Sequence, residues 1–238
     1  SGEAMVDRSA VIGTLHAYME TLKESGCEDI LLPGVPRRRI ESSTSGQTQE
    51  NVASKRDIIL AIKKEVDRCI KCPVLVKNRT KTVFGAGHVN ARLVFVGEAP
   101  GRDEDIQGIP FVGRAGQLLT KMIESIGLDR KQIFIANILK CRPPQNRNPL
   151  PEEIMNCEPY LLEQLRVIEP KIICALGSFA AKTLLKTDSP ISRLRGRFHD
   201  YHGVKLLPTF HPAYLLRNPA EKKKSWVDMK MLRDALRE

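Results

Sequence analysis

Four of the six cysteines are spaced as metal ligands are. Cys69 and Cys72 form a C-x2-C pair, and Cys141 and Cys157 lie far downstream. Two thiolates on one turn plus two distant singles suit a tetrahedral sulfur site, and spacing alone leaves zinc and an iron–sulfur cluster both open. The competing reading is a redox dithiol with two unrelated core cysteines. A thioredoxin-like pair, however, belongs at a strand-to-helix junction of a βαβ unit, and this one leaves a helix ahead of the first strand. Cys174, inside "IICAL", reads as a small core residue, and Cys27 has no evident partner.

Three polar residues stand where apolar runs end. "GEAPG" (97–101) follows "ARLVFV" and makes a tight turn with the Glu98 carboxylate at its lip. Asn137 lies in "ANILKC" (136–141), at the close of a second apolar run, and His211 in "FHPAY" (210–214), after a fourth. A carboxylate in such a place can orient or deprotonate a water, or face a cationic centre. A surface glutamate capping the turn would look the same in sequence, as would an asparagine that merely forms a turn.

The elements that must position these groups alternate. Strand-like runs cover 92–97, 133–139, 171–177 and 205–210. Helical patterns cover 55–69, 116–127, 151–168, 178–185 and 225–238. Near-continuous apolar strands alternating with helices predict an α/β fold, a four-stranded parallel sheet sandwiched by helices. Ligands of such sheets bind outside the carboxyl ends of the strands, where Glu98, Asn137 and His211 fall. Apolar residues at helical spacing over 8–26 predict a separate helix, and the polar stretch 36–50 ("PRRRIESSTSGQTQE") reads as a flexible linker. The expected organisation is therefore an accessory helix and tether over 1–50 and a catalytic domain over 51–238.

Lys and Arg number 38 against 28 Asp and Glu, a net charge of +10. This excess suits a polyanionic partner, because neutralising phosphates supplies most non-specific nucleic-acid affinity; a merely basic enzyme reads the same way. No apolar run approaches the ~20 residues that span a bilayer. The first residues lack the apolar core of a secretory leader, so an intracellular, cytoplasmic location is expected.

Four segments together resemble the iron–sulfur uracil-DNA glycosylases called family 4: "GEAPGRDEDIQGIPFVGRAGQLL" (97–119), "ANILKCRPPQNRNP" (136–149), "CALGSFAAKTLL" (174–185) and "FHPAYLLRNP" (210–219). The similarity runs from about Lys55 to the C-terminus. It implies the three-layer fold of that superfamily, a 4Fe–4S cluster on Cys69, Cys72, Cys141 and Cys157, and excision of uracil from single- or double-stranded DNA by a monomer. Residues 1–50 fall outside it, and their helix is a candidate docking element for a protein partner.

The resemblance also implies roles. Phe111 would stack on a base extruded from the duplex. Asn137 would read the uracil O4/N3 edge; cytosine presents the reverse pattern there and would be left unpaired. His211 would donate toward O2 as charge develops on the departing base, with backbone amides around Glu98 and Ala99 sharing that oxygen. Glu98 would face the sugar and a water, and Glu104 would crowd C5 and exclude thymine's methyl group. Leu215, Leu216 and Arg217 would wedge into the stack, and Arg142 and Arg147 would contact phosphates. One departure is Arg102, where the family often carries an acidic residue; it puts a guanidinium close to Glu98. Two other readings follow from the same motifs: a non-catalytic iron–sulfur DNA-binding module associated with a polymerase, and a covalent uracil-capturing relative. The latter has a histidine-bearing insertion after the second strand, and "KCRPPQNRNP" carries no histidine.

Overall fold

The four apolar runs become the parallel centre of one sheet. The computed structural model describes residues 46–238; the helix expected over 8–26, most of the tether and Cys27 lie outside the described residues. Helix α1 (Gly46–Asp67) leads to the C-x2-C turn and α2 (Pro73–Asn78), then to the short strand β1 (Ala86–Gly87) and to β2 (Leu93–Gly97). Helices α3 (Arg102–Gln107) and α4 (Arg114–Glu124) connect β2 to β3 (Phe134–Asn137). Helix α5 (Pro151–Ile168) returns the chain to β4 (Ile172–Leu176), followed by α6 (Gly177–Leu185) and α7 (Ile191–Leu194). A hairpin of β5 (His199–Tyr201) and β6 (Val204–Thr209), then α8 (Pro212–Arg217) and α9 (Lys222–Arg237), complete the chain.

The order across the sheet is β1-β3-β2-β4-β6-β5. The four expected strands, β3, β2, β4 and β6, run parallel, and β1 and β5 add antiparallel edges. The sheet thus has six strands rather than four. The extra two are two and three residues long, too short to leave a periodic signal. Helix α1 starts at Gly46 rather than Lys55 and takes in the last residues of the stretch read as a tether. Gln47, Gln49 and Glu50 are helix-compatible residues, and polarity alone did not separate them from a linker.

Alternation along the strands sorts the two cores. Val94, Val96, Ala136, Ile173 and Ala175 face α1, α5 and α6. Leu93, Phe95, Ile135, Cys174 and Leu176 face α4 and α9. Both faces are covered, so the strands are apolar throughout, as a parallel sheet requires. Burying each large side chain of this kind contributes roughly 1.5–3 kcal/mol. Cys174 is fully buried in β4, as its surroundings in sequence implied. Among the described residues no helix is long and apolar enough to cross a membrane.

The connection from β2 to β3 moves to one side of β2, and the next strand, β4, lies on its other side. The connections therefore part above the carboxyl end of β2, where an open parallel sheet forms a crevice. "GEAPG" stands at that point.

Candidate active site

Asn137 is the last residue of β3, opposite Gly97 at the end of β2. The two strand ends continue as a pair: Ile138 N–H donates to Gly97 C=O at 2.9 Å and Leu139 N–H to Glu98 C=O at 3.0 Å. Asn137 is 2% exposed, yet its Oδ1 has no hydrogen-bond partner. A buried polar atom left unpaired costs about 1–3 kcal/mol, so an acceptor of this kind is kept for a donor.

Gly97 makes the space in front of it. A β-carbon at this position would collide with Asn137 Oδ1 and would come within 2.7 Å of Cζ of Phe111. The Asn137 oxygen and the Phe111 ring therefore share one bare patch of backbone. Phe111 adopts φ +53°, the left-handed region, which is a strained place for a bulky aromatic. Its ring lies 5.6 Å, centroid to centroid, from that of His211, tilted by 36°.

His211 precedes α8 as its N-cap. Its Nδ1 accepts the Ala213 N–H at 3.1 Å, which fixes the tautomer: the neutral ring carries its proton on Nε2. Burial, with the positive charge of Arg217 adding, lowers its pKa to about 4, so the ring is neutral at pH 7. Gly177 follows β4 at φ +89°, and a β-carbon there would lie 2.9 Å from His211 Cβ. The "GS" turn must therefore be bare for the histidine to enter.

The end of β6 is anchored from behind. Thr209 Oγ donates to Asp228 Oδ2 at 2.6 Å, and Arg195 holds the same carboxylate at 2.6 and 3.0 Å. Asp228 is fully buried. Removing one partner of such a buried pair costs about 3–5 kcal/mol. This network was not read from the sequence, because its members are more than ten residues apart and none has a motif.

Glu98 is half-buried at the crevice lip, and burial raises its pKa above the ordinary glutamate value. Arg102, the residue that departs from the family pattern, is exposed on the first turn of α3 and is not among the causes of that shift. Ala99 is half-buried and packs against the core. Glu104 is tied down: its Oε1 accepts the amides of Val112 and Gly113 at 3.0 and 3.1 Å. Its Oε2 lies on the side of Gly101.

Two expectations for DNA contacts are corrected. Leu215 is 1% exposed, and a side chain buried to that degree is not a wedge; Leu216 is half-buried and Tyr214 and Arg217 are exposed on the same helix. Arg147 is not a free cation: its two Nη atoms grip the Glu153 carboxylate at 2.9 and 2.6 Å, and that carboxylate also accepts the Leu150 N–H at the start of α5. Arg142, held to Asn146 by one nitrogen at 2.8 Å, keeps its remaining donors. The other described histidines serve the scaffold. His199 meets the Leu194 carbonyl, His88 accepts the Asn90 amide, and His202 stacks edge-on to Tyr201.

The four cysteines gather at one rim. Cys141 and Cys157 are buried and Cys69 and Cys72 half-buried, all unpaired by disulfides. Burial pushes the Cys141 and Cys72 thiols up and that of Cys157 to about 11, and negative charge on neighbouring cysteines adds to the rise at each of the three. Among the described residues, no three His, Cys, Asp or Glu side chains close on a point as one metal ion demands. The thiols are thus near enough to one another for each to feel its neighbours' charge. Donors point at three of the sulfurs: Arg79 Nη1 at Cys141 (3.1 Å), Lys140 N–H at Cys157 (3.2 Å) and Asn156 Nδ2 at Cys72 (3.6 Å). Lys140 also joins this rim to the crevice. Its buried ammonium, its pKa lowered by burial to about 8, donates to the Asn137 carbonyl at 2.9 Å and to Gln164 at 2.6 Å.

The family model described as "Uracil DNA glycosylase superfamily" matches residues 84–235, and this stretch contains every crevice residue above. The chain belongs to that superfamily. Similar proteins include the type-4 uracil-DNA glycosylase of Archaeoglobus fulgidus, 45% identical over 72% of this chain and 89% of its own length. Those of Thermotoga maritima (44%; 69% and 86%) and Saccharolobus solfataricus (45%; 72% and 83%) are similar to the same degree. Within the superfamily it therefore groups with type-4 uracil-DNA glycosylases. The expected α/β architecture, a mostly parallel sheet with helices on both faces, is the one this family member adopts.

Proposed function

We propose that this chain is a monofunctional uracil-DNA glycosylase of base-excision repair. It takes uracil out of the DNA stack and hydrolyses its N-glycosidic bond, leaving an abasic site. The observation that carries the reading is the buried, unpartnered Oδ1 of Asn137 at the back of the crevice. Uracil N3–H is the donor it lacks, and cytosine has no hydrogen on N3, so the same atom would stay unpaired.

The other groups surround a base held there. The Phe111 ring offers a stacking face, worth roughly 1–3 kcal/mol per base. As the bond to the sugar breaks, negative charge gathers on the uracil and cationic character on C1′. His211 meets the first with Nε2–H, a neutral donor whose tautomer is already set by Ala213; a preorganised donor at a developing oxyanion contributes about 3–4 kcal/mol. Backbone amides around Ala99 share the same oxygen. Glu98, on the sugar side, orients the attacking water and takes its proton. Glu104 Oε2 faces C5 and leaves no room for a methyl group.

Leu216 and Arg217, on the accessible side of α8, contact the DNA where the base has left, and Arg142 meets a phosphate. The excess of positive charge favours the polyanion. In this reading the chain acts as a monomer, on cytoplasmic DNA.

Cys69, Cys72, Cys141 and Cys157 would hold a 4Fe–4S cluster. The donor set fits it: four thiols within reach of one another's charge, with Arg79, Asn156 and the Lys140 amide aimed at sulfur, as donors that stabilise thiolates are. Held by these four residues, such a cluster would tie the turn before α2, the loop after β3 and α5 together.

The test is incubation with single- and double-stranded oligonucleotides bearing one uracil, followed by alkali. Scission at the uracil is expected. Intact strands overturn the reading, and a DNA–protein adduct that survives denaturation would indicate covalent capture instead.

A further inference from the structure

The loop that presents Phe111 is held by two charged side chains of opposite sign that approach from different elements. Arg130 lies in the connection between α4 and β3, nineteen residues beyond the phenylalanine. Its Nη1 donates to the Phe111 carbonyl at 3.0 Å and to Thr120 Oγ1 at 3.1 Å, and its Nη2 donates to the Pro110 carbonyl at 2.9 Å. On the following two residues Glu104 accepts the Val112 and Gly113 amides. Four consecutive residues, 110–113, thus each have one backbone polar group pinned, the carbonyls of 110 and 111 by a cation and the amides of 112 and 113 by an anion. The residue at the centre is the one at φ +53°.

We propose that Arg130 is a positioning residue for uracil recognition, holding Phe111 in its strained conformation so that the ring stays against Gly97 as a ready-made stacking face. This rests on the reading of the crevice given above. A phenylalanine released from the clamp returns to the ordinary backbone region, which a bulky side chain prefers, and swings its ring out of register with Asn137. The planar fork of arginine is what bonds two adjacent carbonyls at once. A lysine supplies the charge at a single point and does not replace it.

A double-mutant cycle tests this. Stacking is worth about 5- to 150-fold in a base-binding step. Phe111→Ala is accordingly expected to lower single-turnover uracil excision by 10- to 100-fold, and Arg130→Met by about tenfold. In the Phe111→Ala background, Arg130→Met should then cost less than twofold, because the group through which it acts is gone. Arg130→Lys should stay several-fold below wild type. Should Arg130→Met fail to fold, as judged by its melting curve, the cycle is run with Arg130→Lys. Inhibition by free uracil should weaken in step with excision, whereas affinity for abasic DNA should stay within twofold of wild type. Equal losses in the two backgrounds, or no loss on changing Arg130, overturn the proposal. Failure of the wild-type chain to release uracil would instead overturn the reading of the crevice.

Discussion

Asn137 Oδ1 lies so close to the Gly97 α-carbon that no β-carbon fits between them. The relationship fixes two things at once: a glycine at the end of β2, and an acceptor that no group of the protein satisfies. Gly97→Ala is expected to push the Asn137 amide and the Phe111 ring apart. Overpacking of this sort costs about 1–3 kcal/mol, a drop of roughly 2–4 °C in melting temperature for each kcal/mol in a domain of this size. Excision should fall by far more, about 100-fold, because both base-binding groups move. A Gly97→Ala variant as active as wild type would remove the Gly97–Asn137 cradle from the mechanism.

The chemistry of the Asn137 amide itself is open to a specificity experiment. Asn137→Asp replaces a donor–acceptor pair by a carboxyl that, buried here, favours its protonated form and can present either order of donor and acceptor. Cytosine release should become measurable, and uracil release should drop by about 100-fold or more, so that their ratio shifts toward cytosine. The check is parallel assay of oligonucleotides bearing one uracil or one cytosine opposite a gap. An unchanged ratio counts against a reading role.

Glu98 carries a pH signature. Burial raises its pKa, so its ionised form is lost, on acidification, at a higher pH than for an ordinary glutamate. As the proposed chemistry needs the carboxylate, kcat/KM should fall on the acid side with a midpoint above the usual glutamate value. Glu98→Gln should lower the rate about 100-fold or more and abolish that limb. Arg102→Ala should leave the midpoint in place, since Arg102 is exposed and contributes nothing to the shift. A midpoint that moves with Arg102 would contradict that separation.

What could be read from residues alone divides along physical lines. The parallel strands were visible because a sheet covered on both faces makes them apolar end to end, and their carboxyl ends marked the positions of Glu98, Asn137 and His211. The edge strands were invisible because a pairing of two or three residues is specified by its neighbours in space. Leu215 and Leu216 are adjacent and chemically alike in sequence, and only the rotation of α8 decides which one is buried. Arg147 and Arg142 are likewise indistinguishable until Glu153 is found beside one of them. Arg130 had no signal at all. It sits in a polar loop, and its importance depends on carbonyls brought to it by the fold.

His211 supplies the last test, and its sign can be worked out in advance. The folded-state pKa is about 4, below the 6.5 of a free histidine, because burial and the Arg217 charge both disfavour the imidazolium. The unfolded chain therefore gains a proton as pH falls through 6.5, and the folded chain does not until pH nears 4. Stability from this group is full above pH 6.5 and is lost progressively toward pH 4, by about 3 kcal/mol at most at 1.36 kcal/mol per unit, and less because the ring retains some access to solvent. In NMR the Cε1–H of His211, assigned by its absence in His211→Asn, should hold its neutral position down to about pH 5. The same variant should lose part of the acid dependence of the melting temperature, and it should lower excision by about 100-fold at pH 7, where the Nε2–H donor is missing. A His211 signal that titrates near 6.5 would mean an imidazolium forms readily in the crevice, and the neutral-donor mechanism would then be wrong.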